Sequence, residues 1–466
     1  MHYRDSTKTQ ISSSHRLIAS THLLQHSLHS DYVCRTIKFD FFLNSIIYKL
    51  LQNAKLLLTR RQDSIIKRLK NKKFLYINNI DIATEAFFDS CFFRNKTIFI
   101  NKKQVKEKII LSIQNFNRIE MFIPIFSRKP FSPIKNSGYF PDLAEIQTLI
   151  RFHTFTQIVQ NLLQKPCKLT ILADGNKYNR ACKTPHTIIV KYQQLLQYWI
   201  HLLGFQDTIN LQDYETWVHK TVDIQYSIRE EKFNQLYQEI SSQFNKFFNP
   251  NRILDSLNTI QSISELGNQL CYTFWSIITS VNYTILYQDN YIENCLRNHN
   301  VQNFYISYIL SLHYETHEAP KTPLFSKEKI GNNNVIQQIL YEMRSEAWDA
   351  AKRYVAISLV DRQSNILYKA NPYAIKLTIH AKPNELRFID TSREDFTSHA
   401  QHCVGGLREY QNTIKVDFKY RIQREANHEQ AICVQVPNHE KYNCGLIEMY
   451  HNKQPMYYVK TPKLRS

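Results

Sequence analysis

A short apolar run between two helical patterns constrains this chain more than any other stretch. Lys168-Leu-Thr-Ile-Leu-Ala173 is apolar enough for a buried strand and too short for a core helix. Ahead of it, Leu143, Ile146, Leu149, Ile150, Ile158 and Leu162 mark one helical face. Asp142 and Glu145 open that helix with the spacing of a capping box, and Pro166 closes it. Behind the run comes the polar segment Asp174-Gly-Asn-Lys-Tyr-Asn-Arg180, which reads as a loop. A second helix pattern then spans about 187–203, with Gly204 placed to cap it. A strand flanked in this way belongs to an α/β fold, whose ligand crevice lies at the carboxyl ends of the strands. Asp174 falls at such an end.

Residues 222–350 read as mainly helical, with amphipathic stretches around 222–247 and 252–288. From Arg353 onward the period changes, and 354–359, 374–381, 386–389, 413–422 and 431–436 read as strands. The clearest of them alternates Ile375, Leu377 and Ile379 on one face with Lys376, Thr378 and His380 on the other. The expected fold class is therefore α/β, a Rossmann-like mixed sheet with a helical middle region and a β-rich C-terminal part. Two units are expected: a basic, partly helical N-terminal extension over 1–73, and a catalytic domain over 74–466.

That boundary rests on charge. The 466 residues carry 59 Lys+Arg against 40 Asp+Glu, a formal net charge of +19. Residues 1–135 hold 24 of those cations and 9 of the acids, so the basic character lies mostly at the N-terminal end. Arg60, Arg61, Lys67, Arg68, Lys70, Lys72 and Lys73 end a helical pattern there. They read as a solvated face or as a contact for an anionic surface or nucleic acid. With 8 Gly in all and neither GxGxxG nor GxxxxGK[ST], the two commonest phosphate-cradling loops are absent. Nine scattered cysteines without a CxxC pair point to reduced thiols and a cytoplasmic protein. No metal site is expected. The first 30 residues lack the apolar core of a signal peptide, and the stretch 41–58 is too interrupted by polar residues to span a membrane.

The segment Phe122-Ile-Pro-Ile-Phe-Ser-Arg-Lys129, followed through Gly138, Pro141, Asp142 and Glu145, resembles the signature of the isonitrile synthase family, also called the pyoverdine/dityrosine biosynthesis family. In that family an apolar strand leads into a Lys-Ser-Pro-Asn-like turn, and a Gly-x-x-Pro-Asp-x-x-Glu helix start follows. Asp174-Gly175 is similar to the family's Ser-Asp-Gly-Arg segment, with Asn176 in place of the Arg. The strand at 374–381 is similar to its Ile-Arg-Leu-Ser-Ile-His-Pro strand, with Lys376 in place of the Arg, and 396–399 falls where the family has a Pro-Trp-His-like motif. The four motifs span roughly 120–405, in order.

The resemblance implies a lyase-type enzyme that converts the amino group of L-tyrosine or L-tryptophan to an isonitrile, the new carbon coming from the carbonyl of ribulose 5-phosphate. It implies no metal or organic cofactor, and a partner oxygenase that acts on the product. Such chemistry needs cations for anionic substrate groups and acid/base groups for proton transfer. On this reading Arg128, Lys129, Asp142, Glu145 and Lys376 bind substrate, with Lys129 on the sugar phosphate or the amino-acid carboxylate. Asp174 meets the ammonium, and His380 and His399 join it as catalytic acid/base groups. The competing readings are a basic protein that binds nucleic acid or an anionic surface, and a catalytically degenerate family member. A nucleic-acid partner is the less favoured, because the resemblance lies mainly in the near-neutral remainder of the chain.

Overall fold

The computed structural model describes residues 35–70, 78–93, 101–129, 141–182, 184, 186–221, 226–278, 334–379, 386–388, 403–408, 413–417, 431–435 and 457–460. Strand β1 (Arg35–Lys38) and a π-helical stretch, Phe42–Ile47, lead into α1 (Tyr48–Lys70). Helices α2 (Asn79–Ala86) and α3 (Lys102–Phe116) follow, each started by an asparagine side chain, Asn78 or Asn101, that accepts a backbone N–H of the first turn. The alternating unit is β2 (Ile119–Pro124), α4 (Leu143–Leu163), β3 (Cys167–Ala173), α5 (Gly175–Cys182), α6 (His186–Leu202) and β4 (Ile209–Asp213), closed by α7 (Tyr214–Thr221). The helical middle is α8 (Tyr226–Phe244), α9 (Ile253–Ile263), α10 (Glu265–Ile278) and α11 (Asn334–Ser364). After α12 (Ile366–Ala370), the C-terminal part is built of β5 (Ile375–Thr378), β6 (Leu386–Arg387), β7 (Val404–Arg408), β8 (Thr413–Asp417), β9 (Ala431–Gln435) and β10 (Tyr457–Lys460).

The strands make two sheets. One has the order β4-β3-β2-β5-β6 and is parallel throughout. The chain winds outward from β2 through β3 to β4, then returns to β2's other side with β5 and β6. That reversal between β2 and β5 is a topological switch point, where doubly wound folds bind their ligands. The second sheet, β1-β9-β10-β7-β8, is the mixed one, with parallel β1–β9 and β10–β7 pairs and antiparallel β10–β9 and β7–β8 pairs. It meets the first unit at Gly405, where an added Cβ would overlap Leu143 at the start of α4.

Period-2 alternation sorts the parallel sheet into two faces. Met121, Ile123, Leu169, Ile171, Ile375 and Leu377 enter the main core with Ile146, Phe155 and Leu196 from the helices. Phe122, Leu172 and Ala374 enter a smaller core with Tyr214, Trp217 and Val218 of α7 and Ile366 of α12.

The α/β class, the helical middle and the β-rich end match expectation. Two readings change. Residues 354–359 are not a strand: they lie inside the 31-residue α11, where Val355, Ala356 and Val360 continue the buried face of Met343, Ala347 and Ala351. The polar stretch 174–180 is not a loop, since α5 begins at Gly175 and buries Tyr178, Ala181 and Cys182. Ahead of residue 73, Phe42, Ile47, Leu50, Ile65 and Leu69 belong to the main core. No helix among the described residues is long and apolar enough to cross a membrane.

Candidate active site

The carboxyl end of β2 is the first element of the site. Ile125 still donates to the Leu172 carbonyl at 3.2 Å, holding the exits of β2 and β3 side by side. Phe126 then turns the chain with φ +67°, a left-handed conformation that an aromatic residue adopts at a cost of about 1–3 kcal/mol. Burial of its ring against Phe152, centroids 6.4 Å apart, holds it there. The turn aims Ser127 at β3, where its hydroxyl donates to Asp174 Oδ1. Gly175 makes this approach feasible, because a Cβ there would overlap the Ser127 carbonyl oxygen. The Asp-Gly pair thus has two distinct duties: a polar group at the strand end, and room for the neighbouring strand's exit.

Lys129, Asp142 and Glu145 come together as one buried cluster. The Lys129 ammonium lies 2.7 Å from Asp142 Oδ2 and 2.8 Å from Glu145 Oε2, with all three side chains almost wholly shielded from water. The capping box foreseen at α4 is present: Asp142 Oδ1 accepts the Ala144 N–H at 2.8 Å, and Glu145 Oε2 accepts the Asp142 N–H at 2.9 Å. The Tyr192 hydroxyl donates to Glu145 Oε1 at 3.0 Å. Burial alone would lower the Lys129 pKa, but the two carboxylates outweigh it and hold the ammonium above the ordinary lysine value. Burial raises the Asp142 carboxyl, opposed by Lys129. Glu145 is pushed up to about 8, chiefly by burial, with Asp142 adding and Lys129 opposing. The Lys129 charge is thus already met by this chain's own carboxylates.

Sequence reasoning missed a second charged cluster at the ends of β3 and β4. Lys177, in the first turn of α5, lies 2.7 Å from Asp361 Oδ2 near the end of α11. Arg229 of α8 reaches Asp361 Oδ1 at 3.0 Å and Glu215 at 2.6 Å, and the Tyr214 hydroxyl donates to Asp361 Oδ2 at 2.6 Å. The Lys177 ammonium also sits over the rings of Tyr214 and Tyr178, 4.4 and 4.8 Å from their centroids. Tyr178 in turn stacks on Tyr354 at 4.0 Å. Although buried, Asp361 stays below its ordinary value because Lys177 and Arg229 hold it ionised. Asp174 behaves the other way. Burial raises its carboxyl, the Lys177 charge and the Ser127 hydroxyl offset part of that, and Asp213 adds to it. Half-buried and poised upward, Asp174 is suited to exchange a proton.

The remaining expected residues separate. Arg128 is buried and donates to the Thr184 hydroxyl. Lys376 stands in register with Phe122, and its ammonium lies 5.1 Å from the Tyr368 ring centroid. Asn176, at the place of the family's Arg, donates to Asp213 Oδ2 at 2.8 Å. His380, His399 and the turn 130–140 lie outside the described residues. Among the described residues no group of three or more His, Cys, Asp or Glu is placed to hold a metal ion.

A parallel sheet with charged clusters at the carboxyl ends of β2, β3 and β4 defines a Rossmann-like α/β protein. The model of the pyoverdine/dityrosine biosynthesis protein family matches residues 109–392, more than half of the chain and all of the parallel sheet. The chain belongs to that family. A crystal structure of the PvcA protein from Pseudomonas aeruginosa is similar at 15% sequence identity and a TM-score of 0.43, the match covering 75% of this chain and 94% of that one. No curated protein matches the chain.

Proposed function

We propose that this protein is an isonitrile synthase-like enzyme that converts the amino group of tyrosine or tryptophan to an isonitrile, with ribulose 5-phosphate as the carbon donor. The observation that carries this reading is the position of Asp174, a half-buried carboxyl with a raised pKa at the carboxyl end of β3. It stands where the family's Asp-Gly segment falls, within the matched residues.

Asp174 serves as the carboxylate that meets the substrate ammonium and takes a proton from it, freeing the amine to attack the sugar ketone. A carboxyl raised toward neutrality accepts and returns a proton more readily than one at its ordinary value. The Ser127 hydroxyl fixes which oxygen is available. Lys177, restrained by Asp361 and two tyrosine rings, keeps a positive charge beside Asp174 without competing as an acid. The cluster of Lys129, Asp142 and Glu145 fixes the β2 exit against the start of α4. Lys376 remains a proposed substrate-binding cation, His380 and His399 the proposed groups for later proton transfers, and a downstream oxygenase the proposed consumer of the product.

Purified protein given both substrates is expected to form an isonitrile detectable by mass spectrometry, and to form none when either substrate is withheld. Absence of product with every aromatic amino acid removes this activity. Salt-sensitive nucleic-acid binding by the same preparation would favour the competing reading.

A further inference from the structure

Among the described residues, three shielded cations near the carboxyl end of the parallel sheet have an anionic partner. Lys129 is met by Asp142 and Glu145, Lys177 by Asp361, and Arg229 by Asp361 and Glu215. Arg128 is different. It is 6% exposed, yet among the described residues its guanidinium has the Thr184 hydroxyl as its one partner and no carboxylate within ion-pair distance. A buried charge without a counter-charge is costly, and truncating the partner of a buried pair typically destabilises by about 3–5 kcal/mol. A chain that keeps one at a ligand crevice has reason to expect the counter-charge from outside.

The surroundings indicate which counter-charge. Thr184 is 2% exposed and stands two residues ahead of α6, whose first turn carries no acidic side chain. The guanidinium therefore lies close to the N-terminal end of a 17-residue helix, where free N–H groups and the helix dipole favour an anion. Thr184 Oγ1 accepts from Arg128, which leaves its own proton for a further acceptor. A planar fork, a hydroxyl and backbone N–H groups together suit the tetrahedral, doubly charged oxygens of a phosphate monoester better than a single carboxylate.

We propose that Arg128, Thr184 and the N-terminal turn of α6 form the subsite for the phosphate group of a phosphate monoester substrate. The assignment rests on the sugar-phosphate reading above for the identity of that substrate. It moves the phosphate from Lys129, whose charge is already matched, to the neighbouring Arg128, whose side chain turns to Thr184 instead of the capping box.

The test is isothermal titration of the full-length protein with inorganic phosphate and with ribose 5-phosphate, a phosphate monoester offered in place of the reactive ketose, and separately with tyrosine. Wild-type protein is expected to bind both phosphates. Arg128→Met is expected to weaken both about tenfold or more while tyrosine affinity stays within about twofold, and Arg128→Lys to recover part of the loss. Should Arg128→Met not fold, Thr184→Val carries the test, with an expected loss of about threefold or more. Unchanged phosphate affinity in a folded Arg128→Met protein, or a loss confined to tyrosine, overturns the proposal. A lowered melting temperature with phosphate affinity intact overturns it too, and makes Arg128 a structural group that ties the β2 exit to Thr184. Because the readout is binding, phosphate recognition without isonitrile formation would sink the activity and leave this subsite standing.

Discussion

Two buried acids in this protein have opposite protonation behaviour, and the partners of each explain why. Asp361 receives a lysine, an arginine and a tyrosine hydroxyl, enough donors to keep it ionised despite burial. Glu145 is pushed up to about 8 chiefly by its burial, and it shares a single lysine with a second carboxylate that adds to the rise. A group whose folded pKa lies above its unfolded value stabilises the fold fully below the unfolded pKa, and that contribution fades as pH rises through the folded one. Stability from Glu145 should therefore decline between about 4.5 and about 8. Glu145→Gln, which cannot ionise, should flatten that part of the melting-temperature profile. A decline as steep in the variant as in the wild type would sink the assignment. The capping box was legible because it is a local spacing. The partners of Asp361 were not, since Tyr214 lies 147 residues away and no periodicity links them.

At the scale of elements, the strand at 375–378 was legible from alternation alone, and the helix at 143–163 from its cap and its apolar face. The two misread segments fail for opposite reasons. The stretch 354–359 is rich in β-branched and aromatic residues, but it continues a helical face already set by Ala347, Ala350 and Ala351, and packing overrides propensity. Helix α5 looked like a loop because its polar residues seemed made for solvent. Several are engaged in the site instead, Lys177 with Asp361 and Asn176 with Asp213. The contact between the exits of β2 and β3 gives the element-scale prediction. Gly175→Ala forces a methyl into the Ser127 carbonyl and should destabilise by about 1–3 kcal/mol, read from denaturant melts. Because the same shift moves Asp174, kcat should fall while the variant remains folded. Wild-type turnover in Gly175→Ala would show that the two exits need not touch.

For the whole molecule, the charge profile and the packing divide the chain differently. The basic N-terminal part reads as an appendage by composition, yet β1 pairs with β9 near the other end of the chain, and α1 places Leu50, Ile65 and Leu69 in the main core. Charge reports where a solvated surface is, whereas the core follows apolar spacing, and on an amphipathic helix the two coexist. Removing residues 1–73 should therefore give a poorly folded protein rather than a trimmed enzyme, judged by loss of a cooperative thermal transition. Ile65→Ala alone should cost about 2–5 kcal/mol. A truncated chain that melts cooperatively at the full-length temperature would restore the appendage view. The matched family residues begin at 109, and α1, which lies ahead of them, still packs into the main core.

The proposed reaction transfers one sugar carbon to an amino-acid nitrogen beside Asp174 at the carboxyl end of β3. Isotope transfer tests it most directly: purified full-length protein with tyrosine or tryptophan and ribulose 5-phosphate labelled at its carbonyl carbon, the product read by mass spectrometry. The account predicts an isonitrile one mass unit heavier than that from unlabelled sugar phosphate, and loss of that product in Asp174→Asn. An unlabelled isonitrile, or label incorporation undiminished in Asp174→Asn, would contradict it.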